Sequence, residues 1–284
     1  MKYITLLFAL LFFAPHHLSA QSLELPKTPK KFYFYWGYNR GVYGRSTIHY
    51  HGPGYDFTVY DVVAEDMPEP VSSVYVDPTK ITIPQFNFRL GYHWKNNIYF
   101  SAGWDHMKYQ SIDDQLVVMD GHIDKLASEK FAGVYNRQDI IMDHQTFLRM
   151  EHSDGFNLVK INVEKHFDIL SKAKDRINLT AMTGAGPIFP LTWTNAILFG
   201  KRNDDRPHFS GLGISVFGGA RLTFWNRVFF QYNLDAGYVN AWDITTRPKG
   251  QPDRASQKVK YFQKMGMVGF TFNLKRPTFA PQNR

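Results

Sequence analysis

The sequence predicts an all-β protein: a transmembrane, antiparallel up-and-down β-barrel of eight strands with long extracellular loops, the alternative count being ten to twelve. Three observations carry this expectation. In residues 81–109, Phe86, Phe88, Leu90, Tyr92 and Trp94 alternate with Gln85, Asn87, Arg89, Gly91 and His93. Successive strand side chains point to opposite faces, so one face is apolar and aromatic and the other polar. The same alternation recurs over ten or more residues in most later segments. Strands of water-soluble sheets are mostly shorter, whereas a tilted membrane strand needs about 9–11 residues. Finally, 16% aromatic residues coexist with a mean hydropathy of −0.35, as expected of a greasy exterior around a polar lumen with polar loops.

The N-terminus begins with Lys2, continues as an apolar run over residues 4–14 and ends in Leu18, Ser19 and Ala20. A charged start, a short apolar core and a small-residue end predict a cleavable signal peptide at 1–20. Residues 21–30 then read as a periplasmic leader, 31–274 as an outer-membrane barrel and 275–284, with Pro277 and Pro281, as a periplasmic tail. No stretch approaches 18 consecutive apolar residues, so no membrane helix is expected. The chain has no Cys, which excludes disulfides and lipid attachment through a cysteine.

The first strand opens with Phe32, Phe34, Trp36 and Tyr38 alternating with Tyr33, Tyr35, Gly37 and Asn39. It extends less cleanly to residue 63, past Gly52-Pro53-Gly54, and its upper part is expected to fold outside the membrane. An acidic, Pro-containing loop, 66–80, leads to the hairpin, whose second arm carries Ile98, Phe100, Ala102 and Trp104 on one face. Residues 111–143 read as a long polar loop with one or two helical turns at 124–130. In 144–167, Val159, Ile161, Val163 and Phe167 oppose Lys160, Asn162, Glu164 and His166. Ser153-Asp154-Gly155 within it is either a hairpin tip or a bulge in one long strand. Then follow a turn at 171–176, a strand at 177–186, a long loop to Ser210 and a strand at 212–225. The Asn226-Arg227 turn, a strand at 228–239, a loop at 243–258 and a last strand at 259–274 complete the chain. Periplasmic turns of such barrels are short, outer loops long and strand numbers even. Placing the turns at 95–97, 171–176 and 226–227 on the periplasmic side gives eight strands.

An eight-stranded barrel is only wide enough for side chains to fill it. The expected lumen charges are Arg89, Asp105, Lys160, Glu164, Arg221 and Asp235, with Arg221 and Asp235 expected to pair across adjacent strands. They read as a salt-bridged plug, with a path for small solutes as the alternative. His49 and His51 near Asp56 lack a third fixed ligand, so no metal and no cofactor is expected. In Glu151-His152-Ser153-Asp154 only Glu151 with Ser153, or His152 with Asp154, could share a face. The sharper catalytic candidate is His208 with Ser210, whose i, i+2 spacing puts imidazole and hydroxyl on one face. By the parity of Leu212 and Ile214 that face looks toward the lipid. Lys201, Arg202, Arg206, Arg247, Lys249 and Arg254, with Lys258, form a loop set suited to lipopolysaccharide phosphates. The formal charge of +8 would accordingly meet anionic lipid and not nucleic acid. Expected partners are outer-membrane lipid and the insertion machinery, with the chain a monomer.

The His208-x-Ser210 triplet resembles that of the outer-membrane lipid A deacylases, eight-stranded barrels with His-x-Ser at the outer leaflet. Here Gly211-Leu212-Gly213 replaces the small residues that follow that family's Ser. The phrases FYFYWGYNRGVYGRS, GYDFTVYD, ITIPQFNFRLGY, GWDHMKY, MEHSDGFNLV and DRASQKVKYFQ resemble a family of uncharacterised outer-membrane β-barrel proteins of gram-negative bacteria, which implies location and fold but no reaction. The primary expectation is a non-enzymatic barrel with a structural or surface-binding role carried by its outer loops. A lipid-modifying hydrolase or acyltransferase, and a narrow channel or lipid conduit, are the alternatives.

Overall fold

The computed structural model describes residues 32–172, 176–204, 207–247 and 251–273. The expected signal peptide, leader and tail, and the cations Arg206 and Lys249, lie outside the described residues. The strands are β1 (Phe32–Tyr43), β2 (Ser46–Gly52), β3 (Tyr55–Val62), β4 (Ala64–Glu65), β5 (Phe86–Lys95), β6 (Ile98–Ser111), β7 (Gln115–Ile123), β8 (Gly133–Met142), β9 (Leu148–Lys172), β10 (Ile177–Leu198), β11 (Lys201–Asp204), β12 (His208–Phe209), β13 (Gly211–Phe224), β14 (Val228–Thr245) and β15 (Arg254–Phe272).

Eight of them form the barrel, in the order β1-β5-β6-β9-β10-β13-β14-β15, and β1 closes the ring by pairing with β15 from Phe32↔Phe272 to Tyr43↔Tyr261. All these pairings are antiparallel, and closure removes the free edges that a membrane interior cannot solvate. The hairpin β5–β6 turns through Asn96 and Asn97 at φ 51° and 56°, which is the left-handed pair of a type I′ turn. The β13–β14 turn sits one residue earlier than the sequence suggested. Trp225 and Asn226 take the positive φ values, and Arg227 N–H closes the turn on the Phe224 carbonyl at 2.9 Å.

Alternation along each strand sorts residues as the pattern predicts. On β5, Phe86 and Phe88 are half-buried and Leu90, Tyr92 and Trp94 exposed, while Asn87, Arg89 and Gly91 are buried. On β14, Phe230, Tyr232 and Leu234 are exposed and Phe229, Gln231, Asn233 and Asp235 buried. The barrel is apolar outside and polar inside over its lower part.

Above that band the strands continue, and here the structure departs from the expected loops. β1 ends at Tyr43, the chain turns at Gly44 and Arg45, and β2 takes over the upper part of β15, pairing Thr47↔Lys258 to His51↔Arg254. Gly52-Pro53-Gly54 is a full hairpin tip, but it joins β2 to β3 in an outer sheet, β2-β3-β7-β8, and adds no barrel strand. Residues 111–143 hold the β7–β8 hairpin instead of a polar loop. The expected helical region 124–130 contributes a single turn, with Ala127 and Ser128 N–H both donating to the Asp124 carbonyl. β9 is one continuous strand, with register irregularities opposite Trp193/Asn195 and Met107/Tyr109, so Ser153-Gly155 is a bulge and not a tip. The loop expected before Ser210 is mostly strand, because β10 runs on to Leu198 and β11 and β12 fold back against it.

These extensions form because each buries alternate apolar residues. Ile48, Tyr50, Phe57, Val59, Val117, Met119, Phe147, Met150, Val239 and Val259 belong to one continuous apolar core above the barrel. An apolar core of this kind closes the upper end in the manner of a water-soluble domain.

Candidate functional site

The lumen is the part of the molecule where charge is concentrated. Arg89, Asp105, Lys160, Glu164, Arg221 and Asp235 are all buried. Lys160 Nζ lies 2.7 Å from Asp105 Oδ2 and 2.8 Å from Asp235 Oδ1, and Arg89 Nη2 donates to Asp105 Oδ1 at 3.2 Å. Gln263 Nε2, on β15, donates to Asp105 at 2.8 Å and to Asp235 at 3.2 Å. Below this layer, Tyr33 Oη donates to Glu164 Oε1 at 2.7 Å, Ser101 also bonds Glu164, and His166 Nε2 lies 2.9 Å from Glu164 Oε2.

Some of these contacts join neighbouring strands, but three of them cross the bore. Lys160 on β9 reaches Asp235 on β14, Tyr33 on β1 reaches Glu164 on β9, and Gln263 on β15 reaches Asp105 on β6. Each pair is three strands apart around the ring. Hydrogen-bonded bridges thus span the interior at those levels.

The expected pairing of Arg221 with Asp235 is not formed. The β13–β14 register pairs Arg221 with Gln231, and Asp235 stands opposite Phe217. Arg221 Nε donates to Gln231 Oε1 at 2.8 Å, and its guanidinium lies 4.3 Å from the Tyr33 ring centre and 4.1 Å from that of Phe229. Cation–π contact replaces the ion pair. Gln263 and Tyr33 are network members that the sequence reading missed. Both sit at inward parity, on β15 and β1 respectively, which is the signal that could have found them.

His208 and Ser210 are not where parity placed them. Phe209 is 47% exposed, with its ring against Trp242, whereas Ser210 is 0% exposed. The strand is interrupted at Ser210, between β12 and β13, so the alternation resets and Leu212 and Ile214 do not share a face with Ser210. His208 Nε2 lies 2.8 Å from the Asp243 carbonyl, and Ser210 Oγ is oriented to the Pro190 carbonyl at 3.4 Å. The hydroxyl is thus turned away from the lipid side of the wall. Inside the wall, further up β9, His152 bonds Thr194 Oγ1 through Nδ1 at 3.0 Å and faces Gln257 Oε1 at 3.4 Å. Gln257 Nε2 in turn donates to Tyr109 Oη at 2.7 Å.

Of the expected lipid-phosphate cations, Lys201 and Arg202 are exposed on β11. Arg247 Nε lies 3.6 Å from Asp253 Oδ1, and Arg254 Nε donates to Asp243 Oδ1 at 3.0 Å. Arg254 and Lys258 belong to β15 and not to a loop, because β15 begins five residues before the expected Val259. Among the described residues no group of three or more His, Cys, Asp or Glu could hold a metal ion. His49 Nε2 pairs with Asp56 at 2.9 Å and stacks on His51.

A closed barrel with apolar side chains outside and charges inside inverts the arrangement of a water-soluble protein. Its exposed apolar surface is a continuous band around the lower strands and not scattered single residues, and a bilayer core is what covers such a band. The molecule is an integral membrane β-barrel in class. No protein-family model matches the chain, and no curated protein matches it. Among solved structures it is similar to Neisserial surface protein A (10% identity, 85% of this chain and 97% of that one, TM-score 0.37). It is also similar to the outer membrane protein OprG from Pseudomonas aeruginosa (8% identity, 88% and 100%, TM-score 0.40). A third is Ail, the attachment invasion locus protein of Yersinia pestis (9% identity, 86% and 100%, TM-score 0.33). Likenesses this distant do not bear on function.

Proposed function

We propose that the protein is a non-conducting barrel of the outer membrane whose working surface is the extracellular β-structure, in a structural or surface-binding role. The observation that carries this reading is the set of bridges across the bore, Lys160–Asp235, Tyr33–Glu164 and Gln263–Asp105, with an apolar core stacked above them. The six lumen charges comprise three cations and three anions, so together they add no net charge that would favour one sign of ion. What remains accessible from outside is the sheet β2-β3-β7-β8 with β11 and the connections around it.

The test has two arms. Exported chain should fractionate with the outer membrane and run as a heat-modifiable band, and recovery as a soluble periplasmic protein would end the membrane reading. In planar bilayers the folded chain should give no conductance steps, and reproducible single-channel steps would replace the surface role with transport. The inward turn of Ser210 favours the non-enzymatic reading over the lipid hydrolase. Mass spectrometry of lipid A with wild type and Ser210→Ala should show no difference.

A further inference from the structure

The outer wall where the barrel closes carries a second arrangement of charge. From the periplasmic end upward, the outward residues of β1 are Phe32, Phe34, Trp36 and Tyr38, and those of β15 are Phe272, Phe270, Val268 and Gly266. The next outward position on each strand is a cation, Arg40 on β1 and Lys264 on β15, and the register sets the two opposite each other. Like charges at paired positions repel unless an anion lies between them. The outward pair above these two cations is Val42 with Phe262, and Lys260 comes next on the same face of β15, where its carbonyl receives the Gly44 N–H. Neither Lys260 nor Lys264 has an ion-pair partner among the described residues. Arg40 is aimed by neutral acceptors, donating to the Asn39 carbonyl at 2.8 Å and to Tyr75 Oη at 2.7 Å. The nearby Asp66 carboxylate, held by the Gly41 N–H and the Gln85 amide, also attracts Arg40 and so offsets part of its repulsion from Lys264.

Below these cations the wall is hollowed. A groove of about 1010 Å³ runs between Trp36 and Tyr38 on one side and Phe230 and Tyr232 on the other, bordered above by Tyr75 and Val76 of the segment joining β4 to β5. Gly266 lies on its floor, and no atom stands within 4 Å of where a Cβ there would be. The floor is therefore bare backbone, open to a chain lying against it. Cations at the top of an apolar band, directly over an apolar groove, match an amphiphile with an anionic head.

The geometry points to a specific site for one anionic, phosphate-bearing lipid of the outer leaflet, its phosphate between Arg40, Lys264 and Lys260 and an acyl chain in the groove over Gly266. A phosphate can accept charge-assisted hydrogen bonds from several cations at once, which relieves the Arg40–Lys264 repulsion. The site is separate from Lys201 and Arg202. It rests on this wall facing lipid, and the heat-modifiability check tests that placement independently.

The experiment is native mass spectrometry of the full chain in detergent, titrated with phosphatidylglycerol, with phosphatidylcholine and with glycerol phosphate. Wild type should retain one phosphatidylglycerol in preference to phosphatidylcholine. Arg40→Gln with Lys264→Gln should weaken that retention by about tenfold, the effect of losing ~1.4 kcal/mol of binding. Gly266→Leu should weaken it with every charge intact, and Lys201→Gln with Arg202→Gln should leave it unchanged. Each variant must first show the wild-type heat-modifiable shift, so a chain that is not a membrane barrel fails before any lipid is counted. If the double Gln variant does not fold, Arg40→Lys with Lys264→Arg must keep binding, and the glycine variant still reads the groove. Equal retention of the two lipids, or no effect of either the charge or the glycine change, overturns the site. Glycerol phosphate binding as tightly as the lipid also overturns it, since the acyl groove would then contribute nothing.

Discussion

Lys160 has an ammonium that is 0% exposed and lies between two carboxylates, Asp105 and Asp235. Replacing it with Met would leave Asp105 with Arg89 alone and Asp235 with no ion-pair partner among the described residues. Breaking a buried pair by removing one partner costs about 3–5 kcal/mol, so Lys160→Met should lower the urea midpoint of the folded barrel strongly. Asp235→Asn, which removes one anion and keeps a polar group, should cost less; the reverse order in urea titrations would mean that Lys160 is not the hub. His152 gives a pH signature above the apolar band, higher on β9 than Val159. Burial pushes its pKa down to about 4, from 6.5. The folded chain therefore binds fewer protons than the unfolded chain between those values. Stability should be full above about pH 6.5 and fall as the pH drops toward 4, by on the order of 3 kcal/mol. His152→Gln should flatten that part of the profile, and an unchanged slope in pH-dependent urea titrations would assign the acid sensitivity elsewhere. The identities of the lumen residues were legible because inward parity is a local property. Their partners were not: the β13–β14 turn pairs Arg221 with Gln231, four residues short of Asp235, and Asp235 is reached across the bore by a strand distant in sequence.

Strands β5 and β6 show how far alternation alone carries the reading. Phe88 faces outward and Asn87 inward, as the period of two requires. Phe88→Arg should cost about 2–4 kcal/mol near the membrane midplane, while Asn87→Leu, in the lumen, should cost less, both read as shifts in the urea unfolding midpoint. Reversed costs would put the hairpin one residue out of register. Parity failed where a strand is interrupted. At Ser210 the break between β12 and β13 resets the alternation, so counting back from Leu212 and Ile214 assigned His208 and Ser210 to the wrong face. The outer strands were missed for a different reason. Val117, Met119 and Ile123 do alternate within β7, but their face is buried against a core assembled from β2, β3, β9, β14 and β15. A polar surrounding sequence with two short apolar strands gives no local sign that such a core exists above the membrane.

The whole molecule thus stacks two interiors, a polar lumen within the lipid band and an apolar core above it, and the connection between them decides how it unfolds. β9 runs unbroken over 25 residues, β10 over 22, β14 over 18 and β15 over 19, and each lines both interiors. A cap hung on flexible loops could melt by itself, because few hydrogen bonds would link it to the barrel. Here, melting the upper core would strip pairing partners from strands whose lower halves hold the lumen network. Loss of the lumen network would in turn release the strands that carry the upper core. The two layers should therefore unfold together. Trp193 and Trp242 are outward residues of the upper strands, and Trp36, Trp94 and Trp225 lie lower on the wall or at its short turns, so tryptophan fluorescence of single-Trp variants can report each layer. Coincident transitions by different probes are the mark of one cooperative unit. In urea, both sets should move at the same midpoint, which should also coincide with loss of the heat-modifiable band. An upper-layer transition at clearly lower urea, with the band intact, would make the cap a separate folding unit.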